Sequence, residues 1–278
     1  MVGTGWSRTC RRSVSEPRRR GTMKDRLKEL LEEHDHLYGV ICRDTTIVEL
    51  ELMAQAGYHV VWLDLEHGAQ SNSEAIRVSR TIAHLGMVPL VRMPELSRSH
   101  VQVLADGGIQ ILNLPDVRIA EQAEAFVQLG KYPPVGRRGV SSSSVNFDYH
   151  LVDSVQDLAD SNDATRLMVM IESDQGYEAL NAILSVDGID MLTIGPADWA
   201  ASSGLDSVTA KTQLAPKIEH VLEAAAQAGK ITAMGAFDPN SVSRYLDLGV
   251  RIIFVGVDVN LKRKMLIDTL GRFHDAVG

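Results

Sequence analysis

From Met23 onward the chain alternates short runs that are apolar throughout with longer stretches apolar on one side only. The short runs occupy residues 38–42, 59–64, 88–92, 109–114, 167–171, 191–194, 231–234 and 252–255. They are rich in Val, Ile and Leu and too short for helices, so they read as strands buried on both faces. The amphipathic stretches predict helices over 24–33, 47–56, 73–85, 97–105, 119–129, 176–184, 209–228, 239–248 and 260–276, several closed by Gly as at Gly57 and Gly107. Residues 130–165, richer in Gly, Pro and Ser than their flanks, read as one long polar loop. Eight doubly buried strands, each followed by a helix, predict an α/β fold of the (β/α)8 barrel type. An open doubly wound sheet is the alternative, but no G-x-G-x-x-G follows a strand and no G-x-x-x-x-G-K-[ST] is present.

Length agrees with one barrel: 278 residues against the roughly 250 typical of that fold. With 45% hydrophobic and 23% charged residues the chain can bury a large core, and no run approaches the ~18 apolar residues of a membrane span. The net charge of −8 is unevenly spread. Residues 1–22 hold six of the 28 basic side chains and one of the 36 acidic ones, so residues 23–278 carry 22 against 35. An acidic body lacks the broad basic footprint of a nucleic-acid binder and suits a small ligand met by a few focused arginines. The basic segment 1–22, without apolar periodicity, reads as a disordered extension dispensable to the fold, or as sequence upstream of a working start at Met23; an organelle transit peptide is the alternative. Residues 23–278 form the barrel domain. Of the two cysteines, Cys10 lies in the extension and Cys42 in an apolar run, leaving the body one thiol and no internal disulfide, as a cytoplasmic protein would have.

In a barrel the functional groups gather where strands end, on the C-terminal rim. That rule selects Asp64, Glu66 and His67 after the second strand, Arg92 at the end of the third, Glu172 after the fifth and Gly195-Pro-Ala-Asp198 after the sixth. It rejects the His34-Asp-His36 pair, which precedes the first strand, and Lys230, which precedes the seventh. Glu172 and Asp198 offer the oxygen ligands that Mg2+ or a similar hard cation prefers; a salt bridge from Glu172 to Arg92, or a capping role, is the structural alternative. The turn at Gly195-Pro196 opens a helix whose free amides can receive a carboxylate. His67, beside acidic neighbours, has the makings of a base, and Arg92 can neutralise an enolate, although each also fits a purely structural role. Ser141 to Ser144 read as solvated loop.

The segments Trp62-Leu-Asp-Leu-Glu-His67-Gly, Pro89-Leu-Val-Arg92, Tyr132-Pro-Pro-Val-Gly-Arg-Arg-Gly-Val140, Met170-Ile-Glu172 and Ile194-Gly-Pro-Ala-Asp198 together resemble the HpcH/HpaI aldolases, metal-dependent class II pyruvate aldolases. The resemblance spans about Tyr38 to Asp258. It implies a barrel assembled as a hexamer with an exchanged C-terminal helix, and a Mg2+, Mn2+ or Co2+ ion held by Glu172 and Asp198. It implies His67 as catalytic histidine, Arg92 as the enolate-stabilising and substrate-binding arginine, Asp106 as the acid paired with the histidine, and Asp64 as a further acid of the same motif. The amides of Ala197 and Asp198 would receive the carboxylate of pyruvate. Met170 departs from the pattern, standing where many members carry Gln. The implied reaction is cleavage of a 4-hydroxy-2-oxo acid to pyruvate and an aldehyde, or the reverse. A CoA-thioester lyase of the citrate lyase β or malyl-CoA type and a non-catalytic small-ligand-binding barrel are the rival expectations.

Overall fold

The structure, a computed structural model, describes residues 23–277; the segment 1–22, with the expectations attached to it, lies outside them. Eight strands form a closed parallel barrel in sequence order: β1 Leu37–Cys42, β2 Val60–Asp64, β3 Val88–Arg92, β4 Ile111–Leu114, β5 Arg166–Ile171, β6 Met191–Ile194, β7 Ile231–Gly235 and β8 Val250–Val257. Closure is made by Leu37 of β1 against Ile252 of β8. The helices are α1 Arg26–Glu33, α2 Ile47–Gln55, α3 Asn72–His84, α4 Arg98–Asp106, α5 Ala120–Gly130, α6 Val155–Ala164, α7 Asp174–Glu178, α8 Leu180–Leu184, α9 Pro196–Ser202, α10 Ser207–Gln213, α11 Ala215–Gln227, α12 Val242–Asp247 and α13 Asp258–Asp275. The (β/α)8 expectation therefore holds.

Successive side chains of a strand point to opposite faces, and the core divides accordingly. Val61, Leu63, Val91, Leu112, Val169 and Ile171 face the helices in one cluster. Val60, Trp62, Leu90, Ile111, Met168, Met170, Met191 and Phe254 fill the lumen in another, with α1 closing its lower end through Leu27 and Leu30. Helix starts are set by local chemistry: Thr46, Ser71 and Ser154 each form a capping box with an acid three residues on.

Several details depart from the sequence reading. The loop 130–165 contains α6, which buries Ser161, Asn162 and Ala164 instead of large apolar residues and so shows no apolar stripe; the Asn162 amide bonds both N–H and C=O of Tyr132 (2.7 and 3.1 Å). The helix expected over 209–228 is divided into α10 and α11, because Pro216 lacks an N–H and clashes with the preceding turn. That expected over 176–184 is divided into α7 and α8 at Ala179. Strand β8 runs from Val250 to Val257, longer at both ends than its apolar run. Among the described residues no helix is long and apolar enough to cross a membrane. Helix α13 leaves Met265, Leu266, Ile267, Leu270 and Phe273 exposed.

Candidate active site

The parity that puts Trp62, Leu90 and Met170 in the lumen also puts Asp64, Arg92 and Glu172, two residues further along each strand, at its upper rim. Arg92 is the hub. Its Nε donates to Asp64 Oδ1 (3.0 Å), one terminal nitrogen donates to Asp64 Oδ2 (2.6 Å), and the other lies 3.0 Å from Glu66 Oε2. Of the five N–H donors of a guanidinium, two are therefore left for a ligand. The group also lies 5.8 Å over the Trp62 ring.

Asp64 is fully engaged. Besides Arg92 it accepts the backbone N–H groups of Glu66 and His67 (3.2 Å each), fixing the turn after β2. Gly68 completes that turn, since a Cβ there would fall 2.0 Å from the Asp64 carbonyl oxygen. Burial works against the Asp64 charge, but Arg92 and the two amides outweigh it and hold the carboxyl below the usual range. At Glu66 burial prevails and, with the charges of Asp64 and Asp198 opposing Arg92 and His67, moves the carboxyl upward.

Glu172 is 4% exposed and only half satisfied: Oε1 accepts the Asp116 N–H (2.7 Å), while Oε2 is buried without a hydrogen-bond partner. Burial, opposed by the Asp116 amide and reinforced by Asp198 and Glu66, pushes its carboxyl up to about 7. A Cβ at Gly195 would sit 2.2 Å from that oxygen, so only glycine leaves Oε2 its space. Asp198 stands on the first turn of α9, two residues beyond Pro196, where the amides of Ala197 and Asp198 have no intrahelical partner. Deeper in the lumen, the Trp62 indole N–H and both atoms of the Asn113 amide are likewise buried and unpartnered. A buried polar group left unpaired costs about 1–3 kcal/mol, and these gather where a ligand would enter the lumen.

Not every expected pairing is present within the chain. The His67 ring is half-exposed and faces Glu66, with Nε2 4.0 Å from Oε2, while Asp64 holds only the histidine's backbone. Asp106 does not reach His67. It ends α4, which descends from β3 to the N-terminal face of the barrel, and there it binds the buried Arg138 at 2.5 Å. Sequence reasoning put Glu66 on the rim beside His67 but not against Arg92, and gave Trp62 and Asn113 no role. Strand parity could have placed Trp62 and Asn113 in the lumen, but the Glu66–Arg92 contact depends on the path of a loop. His34 and His36 lie on the opposite face as expected, His34 packing with its ring 4.7 Å from that of His59 at a tilt of 51° and His36 bonding Tyr38 (3.0 Å). Lys230 donates to the Ile189 carbonyl on that same face.

Comparison with known proteins bears on this site. The family model described as HpcH/HpaI aldolase/citrate lyase matches residues 46–264. A 2-keto-3-deoxy-L-rhamnonate aldolase of Salmonella gallinarum is 33% identical over 247 residues, covering 88% of this chain and 92% of the relative. An HpcH/HpaI aldolase from Desulfitobacterium hafniense DCB-2 superposes with a TM-score of 0.83 at 27% identity, covering 89% of this chain and 96% of that one. A family protein from Burkholderia cenocepacia J2315 gives 0.81 at 28%, covering 90% and 100%. Sequence coverage of this extent and a shared closed barrel agree: the chain belongs to the HpcH/HpaI aldolase/citrate lyase family.

Proposed function

We propose that the protein is a carbon–carbon lyase that cleaves a 4-hydroxy-2-oxo acid to pyruvate and an aldehyde, and catalyses the reverse addition, with a divalent cation at Glu172 and Asp198. The observation that carries this reading is the unpartnered Glu172 Oε2, buried beside two further carboxylates in a lumen it shares with Arg92. The donor set fits Mg2+, Mn2+ or Co2+: hard oxygens short of positive charge. Among the described residues no cluster of three or more His, Cys, Asp or Glu forms a metal cage, so two carboxylates would leave the remaining positions to water and substrate. When bound, such a cation supplies the positive charge that polarises the 2-oxo group.

The chain's own residues account for the rest. The free amides of Ala197 and Asp198 orient the substrate carboxylate. His67, with Glu66 beside it, takes the proton from the 4-hydroxyl; the C3–C4 bond breaks, the aldehyde leaves, and its bonding electrons pass to C3 as the enolate of pyruvate. Arg92, locked by Asp64 and Glu66, turns its two remaining N–H groups to the enolate oxygen, and its fixed orientation makes that charge effective. A proton returned to C3 gives pyruvate.

The test is a cleavage assay with 2-keto-3-deoxy-L-rhamnonate and related 4-hydroxy-2-oxo acids in Mn2+, with EDTA and malyl-CoA as controls. Release of pyruvate from an oxo acid, lost in EDTA, is expected; turnover of malyl-CoA alone would assign the thioester lyase reaction instead. Two further assignments go with this proposal. The exposed apolar side chains of α13 support a hexamer in which this helix is exchanged between subunits. The cytoplasm as compartment is supported by Cys42, a buried free thiol that burial pushes up to about 12 and so keeps unreactive.

A further inference from the structure

Above the ends of β6 and β7 the structure contains a cavity of about 950 Å³. Its inner end lies in the lumen, at Trp62, Met170 and Thr193, and it passes Pro196 and Ala197, the residues between Gly195, which faces Glu172, and Asp198. Glu172, Asp198, Arg92 and His67 do not line it, but Met170 and Trp62 at its inner end adjoin Gly195 beside Glu172 and the Arg92 guanidinium, so it borders the proposed reaction centre. Three alanines on one face of α9, Ala197, Ala200 and Ala201, leave it its width, and its outer walls are Leu205, Leu214, Ile218, Phe237 and Tyr245. A 2-oxo acid of pyruvate's size would fill only a small part of a space in the range of sites for drug-sized ligands.

The chemistry of the lining selects what the remainder would hold. At the mouth, one oxygen of Asp238, Oδ1, accepts both the backbone and side-chain N–H groups of Asn240 (3.0 and 2.9 Å), Ser241 donates to the Asp238 carbonyl (2.7 Å), and Glu219 is paired with Arg244. Among the described lining residues the only buried polar side-chain atom without a partner is Trp62 Nε1, at the inner end. Past the mouth, where the exposed Lys211 and Asp238 stand, a hydroxyl-rich chain would exchange water for aliphatic and aromatic walls with little to bond to. Met170 extends the apolar lining toward the reaction centre.

We propose that this cavity receives the body of the aldehyde, and that the aldehyde this enzyme forms or condenses is apolar and extended, medium-chain or aryl-substituted, unlike the deoxysugar acid named for the Salmonella relative. The inference rests on the aldolase reading above and names the substrate class of that site.

The experiment follows pyruvate, Mn2+ and the full chain with glycolaldehyde, propanal, pentanal, heptanal and phenylacetaldehyde, alongside deuterium exchange into the pyruvate methyl group without aldehyde. Along the straight-chain series kcat/KM should rise about fourfold per added methylene until the cavity is filled. Ala201→Phe, which fills the cavity from an exposed position on α9, should flatten that rise while leaving glycolaldehyde addition and methyl exchange at wild-type rates. Leu205→Ala, which widens it, should move the optimum to longer chains and keeps the test open if the first variant misfolds. Methyl exchange with a flat or falling series overturns this inference and leaves the aldolase reading standing. Absence of both exchange and addition overturns that reading, and this inference with it. If Ala201→Phe instead dissociates an oligomer and slows all aldehydes alike, the cavity belongs to a second copy and the inference fails.

Discussion

Glu172→Gln tests the electrostatic account of the site, because it keeps the shape of the side chain and its acceptor for the Asp116 amide but removes the titration. In the metal-free wild type the folded-state carboxyl lies at about 7 against an ordinary 4.5. The fold thus favours the protonated form. Its contribution to stability is fully present below pH 4.5 and is lost as pH rises toward 7, since the unfolded chain ionises freely and the folded chain does not. Integration of that difference gives a loss of about 1 kcal/mol at pH 5 and about 3 kcal/mol at pH 8. The variant does not titrate, and whatever its amide costs to bury is the same at both values. In EDTA its stability relative to wild type should therefore improve by about 2 kcal/mol between pH 5 and pH 8. Saturating Mn2+ should reverse the comparison: a ligand at a hundred times its Kd adds about 2.7 kcal/mol to the wild type, and the variant gains little. Urea unfolding followed by tryptophan fluorescence at a fixed protein concentration, at both pH values and with EDTA or Mn2+, measures all four differences. A stability difference that fails to grow with pH in EDTA would refute the buried, charge-poor description of Glu172.

Removing His67 as Ala should lower kcat by about 10²–10⁴-fold with little change in thermal stability, measured by pyruvate release, because the ring is half-exposed and acts as a base. Arg92→Ala should cost about 10²–10³-fold, and Arg92→Lys should not restore the rate, since an ammonium cannot reproduce the two-point contact with Asp64. Asp106→Asn should destabilise the chain by about 3 kcal/mol in urea by leaving the buried Arg138 unpaired; unchanged stability would show that the pair contributes nothing within the subunit. EDTA should abolish activity reversibly, and borohydride with pyruvate should leave no covalent adduct; trapping through a lysine would point to Schiff-base chemistry instead.

The barrel and the residues on its rim are legible in the order of amino acids along the chain. Runs such as Leu167–Ile171, apolar on both faces, leave a covered parallel strand as their only economical arrangement, and the residue that follows, Glu172, must then emerge at the strand's end. Asp64, Arg92 and Asp198 were placed by the same local rule. What each of these touches follows from the folded chain. The turn after β2 gave Arg92 both Asp64 and Glu66, and left His67 facing Glu66. The descent of α4 carried Asp106 away from the rim to Arg138, although the position matched the motif. Helix α6 was hidden because it buries small and polar side chains against Tyr132, a choice that leaves no periodic trace. The cavity beyond Asp198 exists because α9 and α11 meet β7 at a distance set by packing. Strand parity is a property of neighbouring residues and can be read along the chain; partner choice depends on how loops return through space, and that is fixed only when the barrel closes.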